Sequence, residues 1–230
     1  MNAAKLCICL IKRLTGKEKR GMKIMDVSRP IFTNMTVWPG DEGVLVECTG
    51  SIANGYASNT SRIHAGVHTG THVDAPFHFI DGGKRIDQLD ISLFTGNVTV
   101  IDVKDENLIT RRILQDNSLD GCKAVFFKTW YSNKTLNEPF DRNYPGLDPD
   151  AAEYLVKAGI RVVGTDALSV ERYESDDFVV HKTLLRNEIL VVEGLCLKEI
   201  TPGKYKYICM PMLIEGSDGA PARVMLLQDE

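Results

Sequence analysis

The sequence predicts a mixed α/β fold, rich in strand and built as a single domain. Short apolar runs bounded by Gly, Pro or Asp recur along the chain, only a few segments carry helix-end signals, and no linker, repeat or low-complexity stretch interrupts it after Lys23. A length of 230 residues suits one large domain, and 43% hydrophobic with 25% charged residues is the balance of a soluble globular protein.

The strand candidates, in order, are IMDVS (24–28), VLVEC (44–48), NVTVIDV (97–103), KAVFFKT (123–129), RVVGTD (161–166), EILVVEG (188–194), YKYICMPML (205–213) and ARVMLLQ (222–228). Their length and β-branched content favour strands over helices. The clearest helix covers 149–158. Asp148 is placed to cap its start, Pro149 occupies the first helical position, and Gly159 closes the end. A second helix is expected over 106–116 and a short third around 182–187.

Residues 1–21 stand apart. An apolar run from Leu6 to Ile11 precedes most of the segment's basic residues, the reverse of a secretory signal, and is far shorter than the ~20 residues that span a bilayer. The segment is expected to be a disordered or upstream-start extension, leaving 22–230 as the domain, with no stable membrane insertion. The net charge of −4 offers no polyanion-binding surface, so nucleic acid is not an expected partner. The six cysteines form no CxxC pair in a chain long enough to bury a real core. Reduced thiols and a cytoplasmic setting are expected.

The chemistry concentrates in one stretch. Of five histidines, four (His64, His68, His72 and His78) fall within fifteen residues, and Asp74 follows His72 by two. Neutral imidazole is the commonest protein metal ligand, and carboxylates complete many catalytic sites. On a helix, Asp74 would lie about 200° round from His72, and Pro76 would break the helix interior. In an extended chain, residues 68, 72 and 74 share a face, with His72 and Asp74 about 6.6 Å apart. His68 would then be about 13 Å from His72, so the chain must bend between them. Gly70, at the midpoint, admits that bend. His64, beyond Gly66, is expected to be solvated or to support a ligand by a hydrogen bond.

The segment HTGTHVDAPFHF (68–79) closely resembles the HxGTHxDxPxH signature of the cyclase-like metal hydrolases, the family of bacterial kynurenine formamidase and isatin hydrolase. The resemblance extends over essentially all of 23–230, through DVSRPI (26–31), WPGD (38–41), VGTDALSV (163–170) and HKTLLRNEILVVEGL (181–195). It implies the family's swivelling β/β/α fold and a homo-oligomer, dimer or tetramer. It implies metal ligands at His68, His72 and Asp74, with Asp74 bridging to a second ion held by His181 and Glu193. His78 matches the family's proton-shuttling histidine. Zn²⁺ is the expected ion, two being bound, with Mn²⁺ also suited to these ligands.

Such ions lower the pKa of bound water towards ~7 and polarise a carbonyl, which suits amide hydrolysis. The expected substrate is an aryl formamide such as N-formylkynurenine, and Trp38 is placed to offer it an aromatic wall. Hydrolysis of a cyclic amide, as in isatin hydrolase, is the alternative; there the residue matching Glu193 can be Gln. A non-catalytic metal or small-ligand module is a further reading, opposed by the intact ligand and shuttle set. Asp166 and Ser169 are expected to support the site without ligating.

Overall fold

The structure, a computed structural model, describes residues 10–14, 21–175 and 177–229. Its strands are β1 (Leu10–Leu14), β2 (Met22–Asp26), β3 (Leu45–Gly50), β4 (Thr60–His64), β5 (His72–Asp74), β6 (Thr95–Asp102), β7 (Leu108–Ile109), β8 (Ala124–Lys128), β9 (Gly146–Leu147), β10 (Val162–Thr165), β11 (Leu190–Glu193), β12 (Gly203–Pro211) and β13 (Gly219–Asp229). The helices are α1 (Arg111–Gln115), α2 (Pro149–Lys157) and α3 (Val179–Arg186). All eight predicted strands are present, and the mixed α/β class holds.

The main sheet runs β1-β2-β13-β12-β6-β8-β10-β11-β5, and a further pairing of β5 with β13 closes seven of these strands into a barrel. β6, β8, β10 and β11 are mutually parallel, whereas β5, β12 and β13 run antiparallel to their neighbours. Strand parity divides the core in two. Val98, Val100, Phe126, Leu190 and Val192 fill the barrel interior. Ile101, Val125, Phe127, Val163 and Val191 face the other way, against Leu155 of α2 and Leu184 of α3. Because the parallel strands are buried on both faces, their sequences read as continuous apolar runs. β12 alternates instead: Tyr205, Tyr207 and Cys209 are buried, while Lys204 and Lys206 are exposed.

Helix α2 forms where its end signals place it. The Asp148 side chain accepts from the Asp150 amide, and Gly159 follows at φ +74°. The helix expected over 106–116 is shorter, because Leu108–Ile109 pairs with Gly146–Leu147 and only Arg111–Gln115 is helical. Helix α3 is longer than expected. It starts on Val179 and Val180, and the Glu171 carboxylate accepts from the amides of Val180 and His181. A cap supplied from eight residues upstream of the helix is invisible to local propensity.

Within the segment expected to be an extension, Leu10–Leu14 is a strand antiparallel to β2; residues 1–9 and 15–20 lie outside the described residues. Cys48, Cys122 and Cys209 are free as expected, but Cys196 is disulfide-bonded, so reduced thiols do not hold throughout. Cys7 and Cys9 lie outside the described residues. Among those residues, no helix is long and apolar enough to cross a membrane.

Candidate metal centre

β5 is a three-residue strand whose parity sends Val73 into the barrel and leaves His72 and Asp74 on the opposite face. Across the ladder, Glu193 of β11 lies opposite His72, and Val191 opposite Asp74. Val192 points into the barrel, so Glu193 shares the face of His72. α3 packs on this face and brings in His181. Four side chains from three elements therefore meet: His72, Asp74, His181 and Glu193, all buried.

The bend anticipated at Gly70 is present, with φ +66°. It is locked by close approach to Gly194 (φ +68°), where an added Cβ would stand 2.3 Å from the Gly70 carbonyl oxygen. The Thr71 hydroxyl donates to the Gly194 carbonyl at 2.6 Å and accepts from the Arg29 amide at 2.8 Å. This folds His68 back until its ring lies 5.1 Å from that of His72. Gly194→Ala combines a clash with backbone strain and is expected to cost at least ~2 kcal/mol. A urea midpoint shift measures it.

The donor atoms converge in two groups around Asp74. His72 Nε2 lies 3.4 Å from Asp74 Oδ1 and 3.4 Å from Glu193 Oε2. His181 Nε2 lies 3.2 Å from Glu193 Oε1 and 3.8 Å from Asp74 Oδ2. On the other side, His68 Nδ1 lies 2.8 Å from Asp74 Oδ1. Ligand-capable atoms of His72, Asp74 and Glu193 lie within 4.8 Å of one another, as do those of His68, Asp74 and His78. Asp74 belongs to both groups. His78, expected only to move protons, thus also falls within ligand reach of His68 and Asp74.

The donor set fits a divalent cation. His72 Nδ1 donates to the Gly70 carbonyl at 3.1 Å, and His181 Nδ1 donates to Glu171 at 2.8 Å. Both rings are thereby fixed with Nε2 turned to the carboxylates, the orientation that metal-binding histidines require. Burial opposes charge on both rings, yet hydrogen bonds to Asp74 and Glu193 push His72 up to about 10, and bonds to Glu171 and Glu193 push His181 up to about 10. Burial raises the Asp74 carboxyl, but His68 and His72 outweigh it and hold the group well below its usual range. Protons on the imidazoles offset buried anionic charge here, a task that a bound cation also performs.

Two partners of the histidines were not anticipated. Glu171 orients His181, and Asp218 accepts from His68 Nε2 at 2.8 Å and His78 Nδ1 at 3.1 Å. Asp218 lies in the sequence GSDGA, which reads as a turn. Only barrel closure through the pairing of Gly219 with Asp74 brings it to the site. Glu171→Ala removes the His181 partner and is expected to weaken metal affinity roughly 10–100-fold, as read by competition with a chromogenic chelator.

His78 sits on a 3-10 turn over Pro76–His78, its ring stacked on His68 with centroids 3.9 Å apart. Burial lowers its pKa from the ordinary histidine value. His68, His72, His78, His181 and Glu193 line a cavity of about 250 Å³. Trp38, Phe79 and Phe178 form its aromatic walls. Trp38 is seated against Phe140 and Tyr173, with ring centroids 5.2 and 5.5 Å away. Ser169 also lines the cavity, and its hydroxyl accepts from the Glu171 amide. Asp166 is a buried support, accepting from Thr129 and Ser132 while burial pushes its carboxyl up to about 6. His64 is exposed beside Glu47 and does not line the cavity.

The family model described as "Putative cyclase" matches residues 25–172. A kynurenine formamidase of Bacillus cereus is 31% identical over 202 residues, covering 88% of this chain and 96% of that protein. The chain belongs to the cyclase family. Among solved structures similar to this cyclase-family chain, a predicted metal-dependent hydrolase from Bacillus stearothermophilus has 31% identity and a TM-score of 0.77, covering 90% of this chain and 98% of that one. An isatin hydrolase bound to the product analogue thioisatinate shares the cyclase-family fold at a TM-score of 0.81, with 22% identity, covering 91% of this chain and 93% of that one.

Proposed function

We propose that this chain is a metal-dependent amidohydrolase that cleaves aryl formamides, N-formylkynurenine being the leading substrate. The observation that carries the reading is the composite cavity: a buried His and carboxylate floor, His78 beside it, and aromatic walls. The similarity to kynurenine formamidases along nearly their whole length supports the substrate class.

His68, His72, Asp74, His181 and Glu193 would hold the metal, with Asp74 shared between two ions. Zn²⁺ is the proposed occupant and Mn²⁺ the other ion these N and O donors suit. When bound, such an ion lowers the pKa of water and polarises the substrate carbonyl. Trp38, Phe79 and Phe178 bury the aryl ring and exclude water from the reacting bond. His78 Nδ1 donates to Asp218, which orients the ring and leaves Nε2 for proton transfer. In the overall reaction the oxygen of water bonds to the formyl carbon and the C–N bond breaks. The nitrogen takes up a proton through His78, giving formate and an aryl amine. For His68 to ligate, its Nδ1 proton must leave while Nε2 stays anchored on Asp218.

The enzyme is proposed to act in the cytoplasm as a homo-oligomer, dimer or tetramer. The β3–β4 hairpin supports assembly, because cross-strand neighbours Val46 and Ile63 are both exposed. Light scattering after size exclusion reads the mass. A panel of aryl formamides, isatin and aliphatic amides tests the activity. Formate release from the aryl formamides is expected to exceed turnover of every other class, whereas faster opening of isatin would replace the reading with cyclic-amide hydrolysis.

A further inference from the structure

Among the described residues no lysine or arginine lines the cavity, while an acid, Asp41, stands exposed in its lining. Trp38, Pro39, Gly40 and Asp41 form a tight turn closed by the Asp41 amide donating to the Trp38 carbonyl at 3.1 Å. Pro39 at the second position and Gly40 at φ +101° in the third are the residues of a type II turn. The turn fixes Asp41 relative to Trp38, itself held by the aromatic cluster behind it. Among the described residues no ion pair engages Asp41. A carboxylate without a cationic partner, on a rigid turn beside an aromatic wall, matches a ligand carrying an ammonium group next to its ring. Such a pair adds selectivity through charge complementarity.

We infer that Asp41 is a specificity-determining residue that selects aryl formamides bearing an ammonium side chain. The inference rests on the aryl-formamide reading and adds the charge of the substrate's second group. Asp41 acts in binding and takes no part in bond cleavage.

The test compares three formamides on one aryl scaffold: N-formylkynuramine (ammonium side chain), 2-formamidoacetophenone (neutral) and 2-formamidobenzoate (anionic). In the native enzyme KM is expected to be lowest for the ammonium substrate. Asp41→Asn is expected to raise KM for the ammonium substrate roughly tenfold, as for loss of one charged contact worth about 1.4 kcal/mol, with kcat unchanged and the neutral substrate unaffected. Equal changes for ammonium and neutral substrates, or none, would overturn the inference. Calorimetric binding of the amines kynuramine and 2-aminoacetophenone gives a readout independent of turnover. If no formamide is cleaved, the proposed activity fails, yet selective loss of kynuramine binding in Asp41→Asn still upholds the role of Asp41, and unchanged binding still refutes it.

Discussion

Protein carrying His72→Ala is expected to emerge from purification without its metal and with formamide turnover reduced by more than ~100-fold. Loss of an outer hydrogen-bond partner of a ligand already costs roughly 10–100-fold, so loss of a ligand should cost more. The effect should be large because the His72 imidazole stands between Asp74 and Glu193, at 3.4 Å from each. Removing it also leaves two buried carboxylates with one fewer partner, which destabilises the metal-free fold. Elemental analysis and circular dichroism on the same sample separate metal loss from unfolding. A folded variant with full metal content would remove His72 from the ligand set.

His78→Ala should separate binding from chemistry. Metal content is expected to persist while kcat falls roughly 10²–10⁴-fold, the usual contribution of a positioned general acid or base. KM should change little, since the aromatic walls remain. The outcome is informative because His78 also lies within ligand reach of His68 and Asp74. If metal content fell with kcat, His78 would be a ligand; if neither changed, it would leave the proton-transfer role.

The barrel strands were legible because burial on both faces writes itself as uninterrupted apolar runs, as in KAVFFKT and EILVVEG. The bend at Gly70 was legible because an extended chain could not otherwise bring His68 near His72. Helix α3 extends beyond its local signals, since its first turn depends on Glu171, which belongs to a different segment. The helix expected over 106–116 is cut short because the pairing of Leu108–Ile109 with Gly146–Leu147 is long-range and overrides local helical tendency. Within the site, residues in one short stretch could be grouped by spacing alone. His181 and Glu193 are implied only by the family resemblance, because the β5–β11 register sets Glu193 opposite His72 and the packing of α3 brings His181 to it. Asp218 left no signal, because an acid before glycine in a turn is ordinary chemistry until the barrel closes on it.

The most direct test is stepwise chelation of the purified holoenzyme, with metal per chain and formate release from N-formylkynurenine measured at every step. Activity is expected to fall in proportion to bound metal, to vanish in the metal-free protein, and to return when Zn²⁺ or Mn²⁺ is restored. Undiminished formate release from folded, metal-free protein would contradict the account.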